Sequence, residues 1–156
     1  WRMSGKKRPP NTLKLLLETW HQVIVKLGTE KLIIGGKSMG GRIASMVADD
    51  AGVEGLICLG YPFHPSSSPD KLRIDHLQGL KTPSLFLQGD RDCLGNKNNI
   101  AGYKLSHNIH LHWLQDGDHS FNPRKKSRRT EQQNWNEALD ALICFMKNLQ
   151  GSTNGK

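Results

Sequence analysis

The sequence predicts an α/β protein with a mostly parallel sheet covered by helices on both faces. Three observations lead there. Short apolar runs of strand length alternate with segments of helical periodicity. One of these runs, Leu32-Ile33-Ile34, passes through a tight glycine-rich turn directly into a helical pattern. Two further runs end in acidic loops, Asp90-Arg91-Asp92 and Asp116-Gly117-Asp118-His119, as reacting groups do at the carboxyl ends of parallel strands.

Taken in order, residues 1–10 are basic and proline-containing and read as a loop. Asn11 is expected to cap a helix to about Lys26, with Leu13, Leu16, Leu17, Trp20, Val23, Ile24 and Leu27 on one apolar stripe and Gly28 as its stop. A strand follows over residues 31–35. Met39 opens a helix to about Asp50 in which Ile43, Met46 and Val47 fall at helical spacing. Gly55-Leu56-Ile57-Cys58-Leu59 is a buried strand. A Pro- and Ser-rich stretch begins at Tyr61, with a short helical piece near Leu72–Leu80. Ser84–Gln88 and Ile109–Leu114 are the remaining strands. Thr130 with Gln133 forms a capping box for a long helix whose stripe is Trp135, Ala138, Leu139, Leu142, Ile143, Met146 and Leu149. From Gln150 the tail is polar and expected to fray. The organisation is thus a basic loop (1–10), a single domain portion (11–149) and a tail (150–156), with no internal repeats.

The chain has 156 residues, enough for one domain with a real core. Apolar content of 36% and charged content of 23% fit a globular protein. No apolar run approaches membrane-spanning length and no signal peptide precedes the fold, so the expectation is cytoplasmic, without a membrane partner. Cys58 and Cys144 lie in apolar runs and are expected as buried thiols in a reducing compartment. The formal net charge is +8, concentrated in Lys6-Lys7-Arg8 and in residues 124–129. No aromatic interleaving or recognition module accompanies that charge, so nucleic acid is not an expected partner. The first residue is Trp rather than Met, which predicts a piece of a longer protein.

The turn at 35–40 admits two readings. Gly35-Gly36-Lys37-Ser38 matches the end of a phosphate-binding loop, and Gly36-Lys37-Ser38-Met39-Gly40 matches a nucleophile elbow. A phosphate loop of the form G-x-x-x-x-G-K-[ST] needs its first glycine where this chain has Lys31. Strand, tight turn and helix is the context of G-x-S-x-G, so the elbow is preferred and Ser38 becomes the candidate nucleophile. A serine hydroxyl needs a base, and the base needs a carboxylate to fix its tautomer. His119 and Asp92 supply them at two further strand ends, in the order Ser, Asp, His.

The stretches "GGKSMGGRIASMVADDAGVEGLICLGYPFHP", "LQGDRD" and "IHLHWLQDGDHSF…RTEQQNW" resemble small bacterial α/β-hydrolases of the dienelactone-hydrolase-like kind. They are also similar to the hydrolase-like domain of NSL-complex subunit 3. The resemblance implies the α/β-hydrolase fold, a carboxylic ester or thioester as substrate, and no cofactor or metal. It implies Asp92 as the acid, leaving Asp90 as loop structure, and His119 as the base. Cys93 stands where relatives often carry Pro and receives no role. It also implies a segment of H-G-A/G-G type after an early strand, whose N–H completes the oxyanion hole. This sequence has none, so Met39 is the single donor expected, and the N-terminal strands are expected to be lacking. Strand 31–35 would then be an exposed edge, open to self-association and only partly shielded by the helix 11–27. The second functional reading is a non-catalytic hydrolase-like module that binds a partner protein.

Among the other polar residues, His110 and His112 share a strand face as metal ligands would, but no further ligand cluster accompanies them and a solvated edge is the expectation. His64, His76 and His107 read as surface or packing residues. Residues 61–83 fit a pocket rim and an ordinary connection equally. Lys125, Lys126, Arg128 and Arg129 follow His119 closely and are expected at the pocket mouth, where they would draw in an anionic ester.

Overall fold

A computed structural model describes residues 11–153. Helix α1 (Leu13–Leu27) precedes β1 (Ile33–Lys37), α2 (Met39–Ala51) and β2 (Gly55–Leu59). After a single 3-10 turn (Asp75–Leu77) come β3 (Ser84–Gly89), the one-turn helix α3 (Lys97–Ile100), β4 (Ile109–Leu114) and α4 (Glu131–Thr153). All strand pairings are parallel and the sheet order is β1-β2-β3-β4.

That order fixes the layering. Each strand is laid beside its predecessor in the same direction, and right-handed crossovers then place every connection on one face. Ile34, Leu56, Cys58 and Phe86 meet α1, α2 and the 61–80 segment on that face. The alternate residues Leu85 and Leu87, with Ile57 and Leu59, meet α4 through Ala138, Trp135 and Phe145. A strand covered on both sides reads as a continuous apolar run, as β2 does, whereas the edge strand β4 was legible to its end residues from its alternation of apolar residues with His110 and His112.

Several boundaries differ from the sequence reading. Thr12, not Asn11, caps α1, its Oγ1 accepting from Leu15 N–H at 3.4 Å. Of the expected stripe, Ile24 is buried and Leu16, Leu17 and Trp20 are half-buried. Leu13, Val23 and Leu27 are exposed, because α1 rests on α2 along a narrow line. The helical piece near Leu72–Leu80 is reduced to the 3-10 turn. Arg73 O is taken by the Tyr61 hydroxyl (2.9 Å), and Gly79 follows too soon for a helix to propagate. Helix α4 continues through Gln150 to Thr153, past the expected start of the tail, with Leu149 seated over Gly55. The Thr130–Gln133 capping box is formed: Gln133 Oε1 accepts from Thr130 N–H (2.8 Å) and Thr130 Oγ1 from Gln133 N–H (3.2 Å). Cys58 is buried, but Cys144 is exposed, in an open depression between α4 and the β4 edge of the sheet. The expected basic loop at 1–10 and the end of the tail at 154–156 lie outside the described residues.

Among the described residues β1 pairs with β2 alone. Ile33, Gly35, Ile57 and Leu59 line an open apolar depression beside it, and α1 packs on the opposite face rather than over this edge. No described helix is long and apolar enough to cross a membrane.

Candidate active site

The carboxyl ends of the four strands meet at one edge of the sheet, and the ladder runs on into the loops there. Ser38 N–H donates to Leu59 O (2.9 Å), Gly60 N–H to Leu87 O (2.9 Å) and Asp90 N–H to Leu114 O (3.2 Å). Ser38 occupies the junction of β1 and α2 with φ 53° and ψ −120°, a conformation L-residues avoid and one that costs on the order of 1–3 kcal/mol. Close packing enforces it. A Cβ on Gly36 would lie 2.7 Å from Gly40 C, and one on Gly41 would lie 2.6 Å from Gly36 O. Gly40, the second glycine of the motif, faces open space, and the close contact behind the elbow falls on Gly41 instead.

The imidazole of His119 lies between Ser38 and Asp92. Its Nε2 is 2.9 Å from Ser38 Oγ and its Nδ1 is 2.8 Å from Asp92 Oδ2. A carboxylate only accepts, so Nδ1 carries the proton and Nε2 offers a lone pair to the Ser38 hydroxyl. Asp92 is completely buried, with Oδ1 accepting from Leu94 N–H (2.8 Å). Gly60, at φ +60°, backs the imidazole: a Cβ there would lie 2.9 Å from His119 O and 3.3 Å from the ring. The chain Ser38–His119–Asp92 can therefore pass the hydroxyl proton to Nε2 while the resulting cation is held against a buried carboxylate.

Met39 is the first residue of α2, so its N–H belongs to the donors that a helix start leaves free, at the positive end of the helix dipole. Lys37, between Gly36 and Ser38, turns to the loop after His119 and donates from Nζ to Ser120 Oγ (2.9 Å). Asp90 stands apart from His119, with Oδ1 buried and unpartnered.

The basic run divides. Lys125, Lys126 and Arg128 are exposed. Arg129, expected at the mouth, is instead engaged by α4: its Nε donates to Asn134 Oδ1 (3.0 Å) and Nη2 pairs with Glu137. Arg124 is held by Asp116, with Nε 2.8 Å from Oδ1. His112 Nε2 lies 3.2 Å from Glu137 Oε1. Among the described residues no group of three or more His, Cys, Asp or Glu side chains is placed to hold a metal.

Gln88 escaped the sequence reading. It is fully buried at the end of β3 and donates from Nε2 to Asp92 Oδ2 (2.8 Å), Gly95 O (3.1 Å) and Tyr61 O (3.3 Å), while Oε1 accepts from Tyr61 N–H (2.8 Å). A polar residue closing an otherwise apolar strand four positions before the acid was the available signal.

A profile of the alpha/beta hydrolase domain family matches residues 1–147. Solved structures share the fold. A hydrolase from Thermoplasma acidophilum described as CIB-like is 17% identical with a TM-score of 0.57, over 85% of this chain and 60% of that one. An alpha-beta serine hydrolase homologue from Coxiella burnetii is 20% identical with a TM-score of 0.56, over 74% and 56% respectively. A monoacylglycerol lipase from Paleococcus ferrophilus is 14% identical with a TM-score of 0.61, over 92% and 77%. The chain thus spans less than two thirds of the length of the first two.

Proposed function

The chain belongs to the alpha/beta hydrolase domain family, and on that premise we propose that it is a serine hydrolase of carboxylic esters or thioesters. The observation that carries the reading is the hydrogen-bonded chain from Ser38 through His119 to buried Asp92. Ser38 Oγ attacks the acyl carbon as its proton passes to His119 Nε2. Asp92 keeps the imidazole in its working tautomer and stabilises the cation. The oxyanion accepts from Met39 N–H at the start of α2. Collapse of the tetrahedral intermediate expels the alkoxide or thiolate, which takes the proton from Nε2 and leaves an acyl-Ser38 ester. Water repeats the sequence, giving its proton to His119 and releasing the acid. No cofactor enters this scheme. The dienelactone-hydrolase-like subfamily and an anionic ester remain the preferred refinement, supported by exposed Lys125, Lys126 and Arg128 a few residues after His119.

The test is a steady-state comparison on p-nitrophenyl acetate. Asp92→Asn should lower kcat by roughly 10⁴, as loss of a tautomer-fixing carboxylate does, and Asp90→Asn far less. Equal losses, or the reverse ranking, would remove Asp92 from its role. The second reading, a non-catalytic module that binds a protein or a second copy of itself, is favoured by the open apolar edge at β1 and by exposed Leu139 and Ile143. Intact turnover with a monomeric sedimentation coefficient would set it aside.

A further inference from the structure

Arg42, Arg73, Arg91 and Arg129 are the half-buried arginines of the described residues. A guanidinium does not shed its charge, so partial burial calls for an acceptor. Arg91 has Asp116 and Arg129 has Glu137. Arg42 and Arg73 make no ion pair among the described residues, and Arg42 Nε is buried with no hydrogen-bond partner at all. Hydrogen bonds nevertheless gather the two residues around one cluster: Ser45 Oγ donates to Arg42 O (2.8 Å) and lies 2.9 Å from His76 Nε2, and the Tyr61 hydroxyl, 3.5 Å from that nitrogen, donates to Arg73 O (2.9 Å). Arg73 is held below its ordinary range by burial and then by the charge of Arg42. Two like charges gathered in a partly desolvated place, with no carboxylate paired to either among the described residues, can accept an anion.

The backbone of Arg42 adjoins Ser38. Arg42 N–H donates to Ser38 O (3.0 Å), one turn into α2. The Cα–Cβ bond of a helical residue tilts toward the helix N-terminus, which in α2 is the Ser38 end. Arg73 approaches from the segment that follows β2. Its carbonyl accepts from the Tyr61 hydroxyl (2.9 Å) and its N–H donates to Phe63 O (2.8 Å). Tyr61 is in turn fixed by Gln88, the residue that donates to Asp92. His76 completes the wall, with Nε2 2.9 Å from Ser45 Oγ and 3.5 Å from the Tyr61 hydroxyl. Burial, then Arg42, holds His76 below its usual value, against the opposing pull of exposed Asp75. His76 is therefore a neutral hydrogen-bonding neighbour at pH 7, and the positive charge resides on the two arginines.

We propose that Arg42 and Arg73 form an anion subsite beside Ser38, which receives a carboxylate or phosphate group carried by the substrate. The proposal rests on the hydrolase reading and names the substrate class within it. Planar guanidinium forks match either oxyanion, and desolvation strengthens the contact. Arg42 follows Ser38 by one helical turn, so the proposal assigns the anionic group and the scissile carbonyl to one short acyl or alcohol chain, such as a succinyl or glutaryl half-ester. This fixed, half-buried pair differs from the exposed run at 125–128, which acts only through long-range attraction.

Two measurements on the full chain test it. The first is the ratio of kcat/KM for mono-p-nitrophenyl glutarate over p-nitrophenyl acetate. The wild type should favour the anionic ester, and Arg42→Gln or Arg73→Gln should lower the ratio about tenfold or more, with Arg42→Lys between. The second is calorimetric titration of Ser38→Ala protein with glutarate and, separately, inorganic phosphate. At least one anion should bind, which identifies the group, and adding Arg42→Gln or Arg73→Gln should abolish that binding. Binding lost with the arginines, in a protein that hydrolyses neither ester, would sustain the subsite and defeat the hydrolase reading. Hydrolysis with an unchanged ratio, together with no arginine-dependent anion binding, would overturn the subsite and leave the hydrolase reading standing.

Discussion

The side-chain amide of Gln88 donates to Oδ2 of Asp92 across 2.8 Å, and that oxygen is the one facing His119 Nδ1. Gln88 thereby sets the direction of the carboxylate while its Oε1 holds Tyr61 N–H. Gln88→Leu would leave Tyr61 N–H without its acceptor and would withdraw a donor from buried Asp92. We expect a stability loss of roughly 2–4 kcal/mol in urea unfolding, because unsatisfied buried groups cost about 1–3 kcal/mol each. A fall in kcat of about tenfold with little change in KM should accompany it. A stable variant of normal kcat would show that Asp92 needs no such support.

The two glycines after Met39 should respond oppositely to a methyl group. In Gly41→Ala the new Cβ falls 2.6 Å from Gly36 O and 3.3 Å from Cys58 Sγ, so the elbow must shift. A loss of about 1–3 kcal/mol is expected, as in other overpacked sites, together with most of the ester turnover. Gly40→Ala meets nothing within 4 Å and should be neutral or slightly stabilising. Parallel thermal melts of the two variants check this ranking. Equal damage at both positions would contradict the packing account of the elbow.

Asp116 supplies a pH dependence. The hydrogen bond from the Arg124 side chain, reinforced by its N–H and by the charge of Arg91, lowers the carboxyl from 3.8 to about 2. A carboxylate depressed on folding contributes stability above its unfolded value of 3.8, and that contribution is lost as pH falls toward 2. Wild type and Asp116→Asn should therefore differ in urea midpoint at pH 5–7 and converge near pH 2. A gap of constant size across that range would exclude Asp116 as its source.

How much of this was legible in the sequence follows from the range of the interactions involved. The apolar run of β2 announced itself because both of its faces are covered, β4 showed as an alternation of apolar residues with histidines, and the capping box of α4 is a local pattern. The order Ser38, Asp92, His119 was likewise visible as three strand ends. What could not be read depends on packing between distant segments. Nothing local distinguishes Gly40 from Gly41, since the difference lies in what each meets across the elbow. Arg129 looked like its basic neighbours, but Glu137, two turns into α4, claims it. Cys144 sits in an apolar run yet is exposed, because it lines the open depression between α4 and the β4 edge. Arg42 and Arg73 carry no motif, and only the fold brings α2 against the segment after β2.

The central claim is that Ser38 is an activated nucleophile. The most direct measurement is intact-protein and peptide mass spectrometry after treatment with a fluorophosphonate, which phosphonylates a serine only when a neighbouring base has activated it. The account predicts one adduct per chain, mapped to the peptide bearing Ser38, absent from Ser38→Ala and strongly slowed in His119→Ala. No adduct on the folded wild type, or equal labelling of the Ser38→Ala variant, would contradict it.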